Sequence, residues 1–205
     1  DSSKGNSLFF GTTNSWANGA QIRMAVSPAG LVGVGTVSPQ TALDVHYTGS
    51  GDPTGLSNDK GGGEIVYFGS ASAALSAGAL YYLNADGGWQ SANSANTGSN
   101  HGATQLLGIS LGTNPNTDGV LVKGYYNVTT YMSGAFQKGG PMFIQSSSVE
   151  RTATEGGFIS SSAGDDGVGG PESFGRLVGY GTDTANVIYF SPGGGFNVSE
   201  QEEGE

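Results

Sequence analysis

The stretch RMAVSPAGLVGVGTVSPQTALDV, residues 23–45, decides how this chain is read. Together with Gln21 and Ile22 it opens in strict alternation. Ile22, Met24 and Val26 fall on one side of an extended segment, Gln21, Arg23 and Ala25 on the other. SPAG (27–30) puts Pro at the second position of a turn. LVGVG (31–35) is a short strand whose glycines let another backbone come close. TVSPQ (36–40) turns again, and ALDVHY (42–47) alternates Leu43, Val45 and Tyr47 against Asp44 and His46. Upstream, SLFFG (7–11) supplies one more strand. The apolar side chains of this unit are too few to offset the backbone entropy of ordering it. Copies of the chain are therefore expected to pack these faces together, with Ile22, Leu31, Val34, Leu43 and Val45 forming the shared core.

Composition points the same way. Of 205 residues 38 are Gly, far above the usual ~7%, and Gly disfavours helix interiors by ~1 kcal/mol relative to Ala. A helical bundle is excluded on that ground. Zero Cys excludes a disulfide framework and any thiolate metal site. The net charge of -10 argues against nucleic acid and anionic membranes as partners. No apolar run reaches the ~18 residues of a membrane-spanning helix, so no membrane insertion is expected. The acidity is local. Residues 151–205 hold nine carboxylates against Arg151 and Arg176. The chain opens at Asp1 without Met and reads as a piece of a longer protein.

Residues 49–63, Gly, Ser, Asp and Pro with little to bury, read as a linker. Beyond it, EIVYFG (64–69), ALYYLN (79–84), QLLGISLG (105–112), GVLVKGYYNVTTY (119–131), PMFIQS (141–146), RLVGYG (176–181) and NVIYFSP (186–192) are short β-rich runs between turns. The reading is all-β: a short trimeric β-rich shaft (1–48), the linker, a β-sandwich or barrel-like head (64–198) and an acidic, frayed tail (199–205).

LFFG followed by residues 23–45 resembles the RM-x-I-x-x-x-G-x-VGIGT-x-SP-x-x-x-LDV segment of bacteriophage tail fibres and related trimeric fibre proteins. The match runs through Arg23, Met24, Gly30, the Val32–Thr36 run, Ser38, Pro39 and Leu43–Val45. The second unit resembles a β-domain recurrent in phage fibre and other virion proteins. That likeness lies in GALYYLNADGGW, LLGISLG, GVLVKGYYNV, GGPMFIQ, GRLVGYG and NVIYFSPGGGF, in that order. The resemblance implies a homotrimer on an extracellular virion tail fibre, touching other virion tail proteins and a host surface glycan or receptor. A cleaved C-terminal chaperone, as some such fibres carry, would lie beyond residue 205. The alternatives are a virion decoration protein without a receptor role and, less favoured, a glycan depolymerase.

No enzymatic centre, metal site or cofactor is expected. GISLG (108–112) matches the G-x-S-x-G nucleophile elbow, but turn material follows it, and His46 and His101 both precede Ser110. NPNTDG (114–119) opens like a calcium loop, yet position twelve is Tyr125 rather than Glu, so a hairpin turn is favoured. The acids Asp165, Asp166 and Glu172 read as a solvated loop. For receptor binding the candidates are Trp89, Asn93, Asn96, Asn100 and His101. An exposed Trp beside amides and hydroxyls suits stacking and hydrogen bonding to a sugar, while a Trp packed against its own domain is the competing reading.

Overall fold

In the computed structural model, described for residues 5–13, 19–45, 56–93, 102, 104–145, 155–161, 174–193 and 195–197, the chain is all-β. Among those residues the only helical turn is a single 3-10 turn at Thr129–Tyr131. Two compact units divide between Gly55 and Leu56.

The first unit is a four-stranded sheet of β1 (Leu8–Thr12), β2 (Gln21–Val26), β3 (Val32–Val34) and β4 (Leu43–Val45), paired in that order. The first two pairings are antiparallel, and β3 with β4 is parallel. Turn chemistry sets the register. Ser27 holds the 27–30 turn through a Gly30 N–H to Ser27 C=O bond of 2.9 Å, and its Oγ accepts from the Leu31 N–H at 3.1 Å. Gly35 leaves β3 at φ +77, a conformation that favours glycine, and its N–H reaches the Arg23 carbonyl at 2.9 Å.

The second unit comprises β5 (Gly61–Val66), β6 (Leu80–Leu83), β7 (Trp89–Ser91), β8 (Leu107–Ser110), β9 (Val120–Asn127), β10 (Met132–Ser133), β11 (Pro141–Ile144), β12 (Ile159–Ser160), β13 (Phe174–Gly181), β14 (Val187–Phe190) and β15 (Gly195–Asn197). They form one connected, curled sheet, a half-barrel with nine strands on its main path. Strand β9 is the branch point. Its first residues, Val120 and Leu121, pair with β8, which leads on to β6 and β7. Its later residues, Gly124–Asn127, pair with β14, which leads on to β13 and β11. Strand β5 runs along the opposite edge of β9, and their register shifts between Glu64 and Ile65, where β9 carries the extra residue Val122. Such irregularities bend a strand pair and strengthen its twist. The two arms meet again where Leu80 and Gly157 exchange both backbone hydrogen bonds at 2.9 Å.

Inside the curl, Leu80, Leu107, Ile109, Leu121, Tyr126, Ile144, Ile159, Ile188 and Phe190 are buried in one cluster. A smaller cluster, Leu75, Ala79, Tyr81, Trp89 and Val120, lies on the other side of the β6–β8 arm. That arm is covered on both faces, which is why ALYYLN reads as an unbroken apolar run.

The linker expectation needs correction at its C-terminal end. Residues 56–63 belong to the second unit. Gly61, Gly62 and Gly63 pair with Tyr126, Tyr125 and Gly124. The Asp59 N–H donates to Asn127 C=O at 3.0 Å, the Asn127 side-chain amide to Leu56 C=O at 2.9 Å, and the Tyr126 hydroxyl to Asp59 C=O at 2.7 Å. Three glycines signal a flexible joint, but here the absence of side chains lets β5 lie close against β9. Residues 49–55 and the 199–205 tail lie outside the described residues.

Candidate functional site

Registers in the first unit sort its residues into two faces. Leu8 stands opposite Val26, Val26 opposite Val32, and Val32 opposite Leu43, a complete apolar row across four strands. Phe10, Met24, Val34 and Val45 form a second row on the same face. The intervening row, Phe9, Ala25, Gly33 and Asp44, points the other way. Ile22 follows Met24 on the apolar side of β2. Neither of the two rows on the apolar face contains a polar side chain, yet Leu8, Phe10, Ile22, Val34, Leu43 and Val45 are all exposed, Leu43 to 63%. Of the five expected core residues, Ile22, Val34, Leu43 and Val45 share this face. Leu31 sits in the turn before β3 and is half-buried. The 27–45 segment is held locally as well: Asp44 accepts the Gln40 N–H at 3.0 Å, and a Cβ on Gly33 would press on the Thr36 carbonyl at 2.5 Å.

The receptor candidates on the head are placed differently from expectation. Trp89 is fully buried, not an exposed stacking platform. Its indole N–H donates to Phe68 C=O at 2.7 Å, and its backbone N–H to Ser70 C=O at 2.8 Å. The segment after β5 folds over the ring, so the competing reading, a Trp packed against its own domain, holds. Asn93 is buried as well, 4% exposed. Both are corrected as surface contacts. Asn96, Asn100 and His101 lie outside the described residues, as do His46, Asp165, Asp166 and Glu172.

Ser110 is buried in β8 with its hydroxyl donating to Gly112 C=O at 2.7 Å, a strand position and not a nucleophile elbow. NPNTDG forms a turn between β8 and β9. Asp118 accepts the Asn114 N–H at 2.9 Å, and Asn114 accepts the Asn116 N–H at 2.9 Å. These oxygens are spent on the turn itself. Among the described residues no cluster of three or more His, Asp or Glu is placed to hold a metal.

Against this turn lies an open groove of about 500 Å³, lined by Ser70, Ala71, Ala73, Ala74, Thr113, Asn114, Pro115 and Asn116. The Asn116 amide donates to Gly69 C=O at 3.0 Å and ties its two walls together. Its lining is small and uncharged.

Arg176 is visible in sequence only as one of two cations in the acidic last quarter of the chain. It is buried in β13, its Nη1 donating to the carbonyls of Gly102 and Gln105 and its Nε to Gly193 C=O at 2.9 Å. Burial pushes the guanidinium pKa down from its ordinary value. The group anchors the Gly102 and Gln105 backbone rather than offering a surface charge.

Sequence reading missed the outer face of the head. Tyr180, Tyr189 and Tyr125 lie directly opposite one another on β13, β14 and β9. Their alignment depends on register between separate runs, which no local pattern encodes.

No family model, curated protein or solved structure matches this chain.

Proposed function

We propose that this chain is the distal part of a trimeric bacteriophage tail fibre, in which the first unit joins three copies and the second attaches to a host surface glycan. The observation that carries the reading is the first unit's apolar sheet face, two complete four-residue rows in which Leu8, Phe10, Val34, Leu43 and Val45 are open to solvent in one chain and Met24, Val26 and Val32 are half-buried. Contiguous exposed apolar patches of this kind mark association surfaces. The same residues carry the VGVGT-x-SP likeness to trimeric fibres, so sequence pattern and geometry converge on one surface. Attachment follows from assembly: three weak contacts on one rod gain avidity that a single copy lacks.

The test is a mass and an adsorption measurement. Light scattering should give about three times 20.6 kDa, and the trimer should compete with phage for host cells. A clean monomer at micromolar concentration would overturn the fibre reading. A trimer that neither binds cells nor competes would favour a decoration role, and new reducing ends from host polysaccharide a depolymerase.

A further inference from the structure

We infer that the row of tyrosines across the outer face of the head is a binding strip for an uncharged, extended glycan; this rests on the attachment reading and names its site. Tyr180 pairs with Tyr189, and Tyr189 with Tyr125. Pro141 stands opposite Tyr180 at one end and Gly62 opposite Tyr125 at the other. Residues directly opposite in a sheet project to the same face, so four side chains stand in one line across neighbouring strands. At ~4.8 Å per strand, the line from Pro141 to Tyr125 runs roughly 14 Å, the length of a short oligosaccharide.

The strip is built for lateral contact. Tyr180 is 48% exposed and Tyr189 37%. The Tyr125 and Tyr189 rings lie 5.3 Å apart at 51°, and Tyr125 is half-buried. Pro141, at one end of the row, is exposed and compact, and Gly62, at the other, has no side chain and is half-buried. The inward positions of the same strands, Tyr126 and Ile188, are fully buried. The core is therefore complete without the outer tyrosines. Phenol rings offer an apolar face to the C–H face of a sugar and a hydroxyl to its oxygens.

Charge selects the ligand class. The row is neutral, and on the same face Glu64 and Lys123 stand opposite one another in register with opposite charges. On a chain of net charge -10 that arrangement disfavours polyanions and suits a neutral polymer.

The experiment uses the full chain with dextran, mannan, a soluble β-glucan and, as polyanion, alginate. Retardation in affinity gels should appear with at least one neutral polymer and not with alginate alone. Tyr180→Ala with Tyr189→Ala should weaken it at least about tenfold, whereas Tyr180→Phe with Tyr189→Phe, which keep the rings, should stay within about threefold. In the wild-type chain, tetranitromethane should nitrate Tyr180, and the bound polymer should protect it, a readout that needs no variant to fold. Three results would overturn the inference: no neutral polymer bound, unchanged binding in a folded Ala double variant, or Tyr180 unreactive without polymer because another copy covers it. A trimer that binds none of these polymers sinks the strip and leaves the fibre reading standing. A monomer that binds through the strip does the reverse.

Discussion

The Trp89 indole N–H donates to the Phe68 carbonyl at 2.7 Å, while the two rings lie 6.1 Å apart and tilted by 30°. One bond thus pins the segment after β5 over the largest buried side chain of the head. Trp89→Phe removes the donor, strands the carbonyl and opens space in the smaller cluster. The expected loss is about 2–4 kcal/mol, the sum of an unmet acceptor and a partial cavity, read as a lower urea midpoint at unchanged slope. An unchanged midpoint would show that the covering segment contributes nothing to stability.

Arg176 satisfies three backbone carbonyls from one buried position. Arg176→Met keeps most of the apolar stem but leaves those acceptors without a donor. About 2–4 kcal/mol should be lost, at ~1–3 kcal/mol for each acceptor that water cannot reach. Arg176→Lys should recover only part of it, since an ammonium lacks the planar fork that spans separated acceptors. Equal stability of the Lys variant and wild type would refute the clamp.

Most strands were legible because their residues alternate or run apolar over a strand's length. Gln21–Val26 appears at the bounds its pattern predicts, and all seven runs named in the second unit overlap a strand, although β5 starts three residues before its run and β13 two. What escaped depends on partners distant in sequence. Gly61–Gly63 looks like a hinge until β9 lies beside it. Trp89 looks exposed because a polar stretch follows it, whereas its cover comes from the segment preceding β6. The branch at β9 and the tyrosine row are properties of register between runs, and composition carries no register. The apolar face of the first unit was legible for the opposite reason: period-two alternation alone assigns Ile22, Met24 and Val26 to one side.

Alkaline pH should destabilise the head through its buried phenols. Burial is the main cause that pushes the Tyr126 hydroxyl well above the ordinary value near 10, and it raises Tyr81 too. The folded state therefore keeps these protons at pH values where the unfolded chain has released them. Their stabilisation is complete below pH ~10 and drains away as pH climbs above it. Urea midpoints should be flat with respect to these groups up to pH 9 and fall beyond 10. Tyr126→Phe, less stable at neutral pH for want of its bond to Asp59, should show a shallower alkaline decline. An equally steep decline in that variant would assign the pH dependence elsewhere.

The apolar face of the first unit makes the sharpest prediction about assembly. Val34 lies in the middle of its row, flanked by Met24 and Val45, and is 39% exposed in the single chain. In a lone chain Val34→Asp places a carboxylate where water reaches it, so the sheet of one copy should tolerate the change. In a parallel homotrimer with these faces inward, the same change brings three carboxylates together in an apolar centre. Each would lose solvation, and all three would repel one another, at several kcal/mol per trimer. Arg23→Glu is the control: it also makes the sheet more negative, but on β2 and on the opposite side of that strand from Met24. Light scattering across a dilution series should find Val34→Asp dissociated at concentrations where wild type and Arg23→Glu remain associated. Lowering the pH below ~4 should restore part of the association as the carboxylates take up protons. If Val34→Asp assembles and melts as wild type does, this face is not where the copies meet.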